Sequence, residues 1–214
     1  SLELLNHQHA CQTGSDDDDS GAAAADGADD DEDDHDEALW EAVSEMLTTL
    51  PKVLGRGWAP HFERLLPNVQ LYLRESHPQT DQLMAIAIIA EGLNHLDGAG
   101  ERFFSRVLPH ALRCAGSKNA TCRQNAVFCL GILGQHGGAA ARAQVQSILS
   151  AIEPRLAAAE DPAVADNAAG ALARLVLALG GVLPLAAILP AIASRLPMRP
   201  DAADRGLAVQ RPTH

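Results

Sequence analysis

The chain has 214 residues, of which 47% are hydrophobic but only 3% aromatic, and its formal net charge is −12. An apolar content made mostly of Ala, Leu, Val and Ile favours closely packed helices over a β-sandwich, which would need more Tyr, Phe and Thr. The sequence has no basic stripe that could neutralise phosphates, which argues against a DNA-binding protein.

The acidic charge is concentrated in one segment near the N-terminus. Residues 14–37 contain thirteen acidic side chains and no Lys or Arg, whereas the rest of the chain has 15 acidic and 16 basic residues. This density of like charge predicts a loop over 14–36 that is disordered when unbound and attracts positively charged partners. The alternative is a solvated spacer between two helices. The candidate binding residues of this loop are Asp16, Asp17, Asp18, Asp19, Asp29, Asp30, Asp31, Glu32, Asp33, Asp34 and Asp36.

A spacing of 40–42 residues recurs along the rest of the chain. A shift of 42 aligns 63–67 with 105–109, and the same shift carries Leu83 to Asn125 and then to Asn167. This spacing is too long for one helix and fits a helix pair. Because a single pair cannot bury its apolar faces, neighbouring pairs must stack. The sequence therefore predicts an all-α, right-handed α-solenoid of about four stacked antiparallel helix pairs over 37–197.

Capping and turn signals divide the solenoid into first and second helices. Second helices are expected near 37–50, 78–96, 120–136 and 162–179, and first helices near 60–74, 99–115, 140–158 and 182–196. His77, Asn119 and Asp161 are the expected N-caps. Glycines at 98, 137–138 and 180–181 are expected to end second helices, because glycine readily adopts the left-handed conformation.

Candidate chemistry is sparse in the sequence. Cys122 and Cys129 lie seven residues apart, so both are expected to be buried on one helix face. Trp40 and Trp58 are expected to be buried anchors. No nucleophile-elbow, phosphate-loop or zinc-protease motif occurs, so we predict no enzyme, no cofactor and no metal site. The apolar run at 168–189 is interrupted by an arginine, two glycines and a proline, and is not expected to span a membrane.

Two consecutive second helices resemble a known family. The segment 161–172 resembles the inner helix of a HEAT repeat, with the sequence Asp-Pro-Ala-Val-Ala-Asp-Asn-Ala-Ala-Gly-Ala-Leu. Residues 123–133, Arg-Gln-Asn-Ala-Val-Phe-Cys-Leu-Gly-Ile-Leu, and residues 166–175 resemble successive repeats of the importin-β superfamily. The order of an acidic loop, a second helix and these repeats is similar to that of the importin four and importin five branch.

The resemblance implies part of a nuclear transport receptor that shuttles between cytoplasm and nucleus. Such a receptor binds basic cargo, such as histones or ribosomal proteins, under control of the Ran GTPase. It also contacts nucleoporins, but neither nucleic acid nor membrane directly. The alternative is a HEAT-repeat scaffold for a protein complex without transport activity.

The resemblance also bears on domain organisation and on individual residues. It implies that Ran binds N-terminal repeats missing from this chain, that 1–13 is the remnant of a preceding helix, and that 198–214 is a disordered or truncated tail. Polar residues of the inner helices would line the concave cargo surface, or would instead satisfy loop carbonyls between repeats. These residues are Arg123, Gln124, Asn125, Asp166 and Asn167.

Overall fold

The structure, a computed structural model, describes residues 28–196. Within this range it contains helices and turns but no strand. The helices are α1 (Ala28–Leu54), α2 (Ala59–Leu71), α3 (Gln79–Asn94), α4 (Phe104–Ala115), α5 (Ala120–His136), α6 (Gly138–Ala143), α7 (Val145–Ile152), α8 (Pro162–Leu179) and α9 (Leu185–Ala193). Short 3-10 turns cover Gly55–Trp58, Asp97–Phe103, Glu153–Leu156 and Gly180–Val182.

The helices form two layers. Helices α1, α3, α5 and α8 lie side by side in an inner layer, and each contacts the next. Helices α2, α4, α6, α7 and α9 form the outer layer and pack against the inner helices. This is the stacked arrangement of an all-α solenoid, as the 42-residue spacing predicts.

One continuous core runs between the layers. In α4 the buried residues recur at steps of three and four, so that one face of the helix is apolar and points into the protein. Trp58 is buried, as predicted, and packs against Phe62, whose ring meets Phe103 edge to face at 4.9 Å between centroids. By length and composition, the segment Pro162–Val182 could cross a membrane, but 67% of it is buried inside the protein. Such burial is typical of the core helix of a repeat protein.

Glycine allows α5 and α8 to approach each other closely. A Cβ atom on Gly131 would lie 2.8 Å from the Cα of Ala171. A Cβ atom on Gly134 would overlap the side chain of Leu175. Because no side chain separates the two helices at these points, adjacent repeats pack almost backbone to backbone here.

Arginines of the outer layer bind the carbonyl oxygens at the end of the preceding outer helix. Arg113 donates a hydrogen bond to the carbonyl oxygen of Leu73. Arg195 donates to the carbonyl oxygen of Leu156 at 2.8 Å. These carbonyls lie at helix ends, where no intrahelical donor reaches them. The bonds therefore link neighbouring repeats while satisfying otherwise unpaired acceptors.

The second helices agree with the predicted ones to within two residues, except for α1. Asn119 is a true N-cap, since its Oδ1 accepts from the backbone N–H of Cys122 at 2.9 Å, and Asp161 caps α8 in the same way. The prediction for His77 is wrong: Pro78 is the N-cap of α3, without a side-chain cap bond. His77 instead pairs with Asp81 at 3.5 Å.

The first helices are shorter than predicted. The predicted helix 99–115 begins only at Phe104, after the 3-10 turn Asp97–Phe103, which contains two glycines of low helix propensity. The predicted helix 140–158 is divided into α6, α7 and the turn Glu153–Leu156. Among the glycines expected to be left-handed, only Gly138 has a positive φ, of 52°.

Helix α1 is longer than the predicted 37–50, and the difference falls on the acidic segment. Residues 28–36 are helical, although their density of like charge predicts a loop. Acidic residues in the first turn of a helix interact favourably with the partial positive charge of its N-terminus, whereas like charges four residues apart oppose helix formation. The rest of the predicted loop, the segment 1–13, the tail 198–214 and the side chain of Trp40 lie outside the described residues.

Candidate functional site

An open groove crosses the exposed face of the inner layer. Its first hollow, of 310 Å³, lies between α1 and α3 and is lined by Ser44, Glu45, Thr48, Met84, Ala87 and Ile88. Its second hollow, of 190 Å³, extends across α5 to α8 and is lined by Thr48, Lys52, Ala87, Ala90, Glu91, Asn125, Phe128 and Asn167. The two hollows share Thr48 and Ala87, so they form one surface, which we call the inner groove.

The inner groove is formed by one face of each inner helix and reaches down to the buried side chains of Ser44, Ile88 and Ala90. On α1 its residues recur at steps of three and four, as Glu45, Thr48 and Lys52 show. On α3 the same spacing brings Met84, Ala87 and Glu91 into the groove. This is the helical period of one face.

The chemistry of the inner groove is mixed. Met84, Ala87 and Phe128 provide apolar contact area, while Glu45 and Glu91 provide carboxylates from two different helices. Lys52 is the one basic residue among those that line the two hollows. Such a surface can accept an extended segment that carries both apolar and basic side chains.

An arginine lies behind the second hollow. Arg174 of α8 donates a hydrogen bond to Oε1 of Gln135 at 2.6 Å, and its guanidinium group lies 5.4 Å from the centre of the Phe128 ring. Burial lowers the pKa of Arg174, and the nearby carboxylate of Glu91 partly offsets this effect. Arg174 therefore supports the groove from the protein side.

Asn125 and Asn167 both line the inner groove and both link repeats. The side-chain amide of Asn125 donates to the carbonyl oxygen of Leu83 at 3.4 Å. The amide of Asn167 donates to the carbonyl oxygen of Gln124 at 3.2 Å. Each asparagine thus bonds to the backbone of the preceding inner helix, 42 or 43 residues earlier. The side-chain oxygens are acceptors that the groove can offer to a ligand.

Arg123 lies in a different place, among the turns at one end of the helices. Its guanidinium donates to the carbonyl oxygens of Ser117 at 3.0 Å and Lys118 at 2.9 Å, and forms an ion pair with Glu160. Arg155 binds the other carboxylate oxygen of Glu160 at 2.7 Å. The structure thus engages Arg123 in a link between the turn before α5 and the turn before α8.

The pKa of Glu160 is lowered. Burial by itself raises this pKa, because it disfavours the charged form. The hydrogen bonds from Arg123 and from the backbone N–H of Asp161, together with the charges of Arg123 and Arg155, outweigh burial. The carboxylate is therefore the charged centre of this link.

The other predicted inner-helix residues do not line the groove. Asp166 is buried and engaged with other groups of the protein, and Gln124 is half-buried. Sequence reasoning missed Glu45, Thr48 and Glu91, which the structure brings together. The signal that could have found them is the face opposite the apolar stripe on α1 and α3.

Helix α1 joins the acidic segment to the inner groove. Eight of its first ten residues are acidic, and Ser44, Thr48 and Lys52 lie further along the same helix. At about 1.5 Å per residue, Asp36 lies roughly 18 Å from Thr48 along the axis. The candidate residues Asp16–Asp19 lie outside the described residues.

In the described part of the chain, no group of three or more His, Cys, Asp or Glu residues could hold a metal ion.

Comparison with known proteins places the chain among importins. It is 32% identical to Importin-4 of Homo sapiens over 168 residues, or 78% of this chain, and 31% identical to Importin-4 of Mus musculus over 170 residues. It is 24% identical to the probable importin subunit beta-4 of Schizosaccharomyces pombe over 202 residues, or 94% of this chain. These matches cover 16%, 16% and 19% of the three relatives, so the chain spans less than a fifth of their length. No protein-family model matches the chain.

Proposed function

Because this chain belongs to the importin-β superfamily of nuclear transport receptors, we propose that it is a cargo-binding segment of such a receptor. Its cargo would be basic proteins, such as histones or ribosomal proteins, imported into the nucleus under control of Ran. The observation that carries the proposal is the inner groove, which is open, mixed in chemistry and formed partly by α1, the helix that also carries the acidic turns.

The acidic turns and the inner groove would have different tasks. Exposed ion pairs contribute roughly 0–1 kcal/mol each. Eight pairs at about 0.5 kcal/mol give ~4 kcal/mol, which corresponds to a dissociation constant of about 1 mM. Useful affinity therefore requires apolar contact in the groove. The acidic turns mainly attract the cargo and speed its encounter with the groove.

Fluorescence anisotropy with a labelled histone-tail peptide tests the proposal. The chain is titrated at several salt concentrations beside a neutralised variant, in which the eight Asp and Glu residues within 29–37 become Asn and Gln. This variant keeps the length of the chain, and circular dichroism checks its helix content. We expect micromolar binding that weakens with salt and becomes slower and weaker on neutralisation. If the anisotropy of the peptide does not rise when either protein is added, at any salt concentration, the peptide does not bind. That result would contradict the proposal and favour a helical-repeat scaffold without transport activity.

Control by Ran concerns the whole receptor rather than this segment. The test is peptide release from the full-length receptor when GTP-bound Ran is added. We expect release by the GTP-bound form and none by the GDP-bound form. Equal retention with both forms would contradict the Ran-dependent part of the proposal.

A further inference from the structure

The first inner helix exposes apolar side chains along one face. Met46 and Leu54 of α1 are 44% and 43% exposed, and Leu50 between them is half-buried. Because these residues recur every four positions, they lie on one side of the helix and form a surface that we call the α1 patch. A single exposed apolar residue is ordinary, whereas a row of them indicates a surface for another segment.

The 42-residue spacing identifies the α1 patch as part of a repeat core. A shift of 42 carries the patch to Ile88, Gly92 and Leu96 of the next repeat. Ile88 and Leu96 are 1% and 0% exposed, and Gly92 is buried. The same shift carries Leu47 to Ile89, which are both buried, so the two helices are in register. The patch therefore occupies positions that are core in the following repeat.

In the following repeat an outer helix covers these positions. A Cβ atom on Gly92 would lie 2.6 Å from the ring of Phe62 in α2 and 3.2 Å from Nε1 of Trp58, just before α2. Helix α2 precedes α3 in the chain, as α4 precedes α5. Among the described residues, no outer helix precedes α1. By the same arrangement, the segment that covers the α1 patch comes from the chain before α1.

We propose that residues 1–13 pack on the α1 patch as the outer segment of the first repeat. The candidate contact residues are Leu4 and Leu5. They form an adjacent apolar pair like Leu65 and Leu66 of α2, which are both buried in the core. Burial of leucine against the exposed apolar row of α1 would provide the driving force.

The acidic segment is long enough to allow this contact. Residues 14–27 connect the N-terminal segment to α1, and fourteen extended residues span at most about 46–50 Å. Met46 and Leu54 lie roughly 27 and 39 Å from Ala28 along the axis of α1, at about 1.5 Å per residue. The whole patch is within reach. Docking would hold both ends of the acidic segment on the first repeat.

Cysteine cross-linking in the full chain tests the contact. Leu5→Cys is combined with Met46→Cys in the patch or with the control Glu45→Cys on the groove face; positions 45 and 46 are both exposed. Cys11→Ser removes the other cysteine of the N-terminal segment. The remaining cysteines are buried, namely Cys114, Cys122 and Cys129. With a short bis-maleimide, we expect cross-linking within one chain to be about tenfold faster at Met46→Cys, because docking raises the local concentration there.

Paired aspartate variants test the same contact without added cysteines. Leu4→Asp with Leu5→Asp should lower the melting temperature by at least about 4 °C, because charged side chains cannot replace buried leucines. Asn6→Asp with Thr13→Asp adds the same charge to the same segment and should shift the melting temperature by less than about 2 °C. Far-ultraviolet circular dichroism follows both transitions.

Three outcomes would overturn the proposal. Equal cross-linking rates at Met46→Cys and Glu45→Cys would show that residues 1–13 do not prefer the α1 patch. Cross-links between chains, seen as dimers on a denaturing gel, would show that a second copy covers the patch instead. Equal melting temperatures of the two aspartate variants would show that the leucine pair is not buried.

Discussion

The ion-pair cluster centred on Glu160 should contribute substantially to stability. The side chain of Glu160 is only 6% exposed and forms ion pairs with both Arg123 and Arg155. Removing one partner of a buried ion pair costs about 3–5 kcal/mol. The two arginines keep some access to water, so we expect Glu160→Ala to cost about 3 kcal/mol, at the lower end of that range. For a chain of this size, that loss lowers the melting temperature by about 6–12 °C.

Thermal unfolding followed by far-ultraviolet circular dichroism measures this effect, and the chain offers a matched control. Glu63 pairs with Arg102 at 3.2 Å, but the side chain of Glu63 is 53% exposed. Glu63→Ala should therefore cost less than about 1 kcal/mol, because exposed ion pairs contribute little. If Glu160→Ala melted within about 2 °C of Glu63→Ala, the reasoning about burial would be refuted.

The contribution of Glu160 to stability should depend on pH. The pKa of Glu160 is lower in the folded chain than in the unfolded one. A carboxyl group whose pKa is lowered by folding stabilises the fold at pH values above its unfolded pKa, which is about 4.3 for glutamate. This contribution is lost as the pH falls through the folded pKa. The difference in melting temperature between wild type and Glu160→Ala should therefore be largest at neutral pH and shrink below about pH 4. A difference that does not change with pH would contradict this origin.

Two further substitutions have definite expected outcomes. Gly134→Ala places a methyl group against Leu175 and should lower the free energy of unfolding in urea by about 1–3 kcal/mol. Gly98→Ala is the control, because a methyl group there meets nothing within 4 Å and should change stability little. Equal effects of the two substitutions would contradict the close contact of α5 and α8. Asn119→Ala removes the N-cap bond to Cys122 and should cost about 1 kcal/mol by the same measurement, while an unchanged midpoint would show that the cap contributes nothing.

The inner layer could be predicted from sequence because its signals are local and repeated. The N-caps Asn119 and Asp161 act within three residues of themselves, and the 42-residue spacing repeats the same helix pair. The N-cap prediction failed at His77, where a neighbouring acid competes for the side chain. The outer arginines Arg113 and Arg195 lie two repeat lengths apart, so the link between outer helices could also have been found from sequence, although Arg155, at the intermediate position, binds Glu160 instead.

The inner groove could not be predicted in the same way, because it depends on how the helices stack. Glu45 and Glu91 share the groove only because α1 and α3 lie side by side, at an angle set by packing across the whole core.

A pair of charge reversals tests most directly whether the inner groove binds basic cargo. Glu45→Lys changes an exposed groove residue, and Glu153→Lys makes the same change in net charge on an exposed residue of the outer layer. Both are titrated against a labelled histone-tail peptide by fluorescence anisotropy. We expect Glu45→Lys to weaken binding about tenfold and Glu153→Lys to weaken it less than about twofold. Equal weakening by the two variants would show that only net charge matters and would contradict a binding site in the groove.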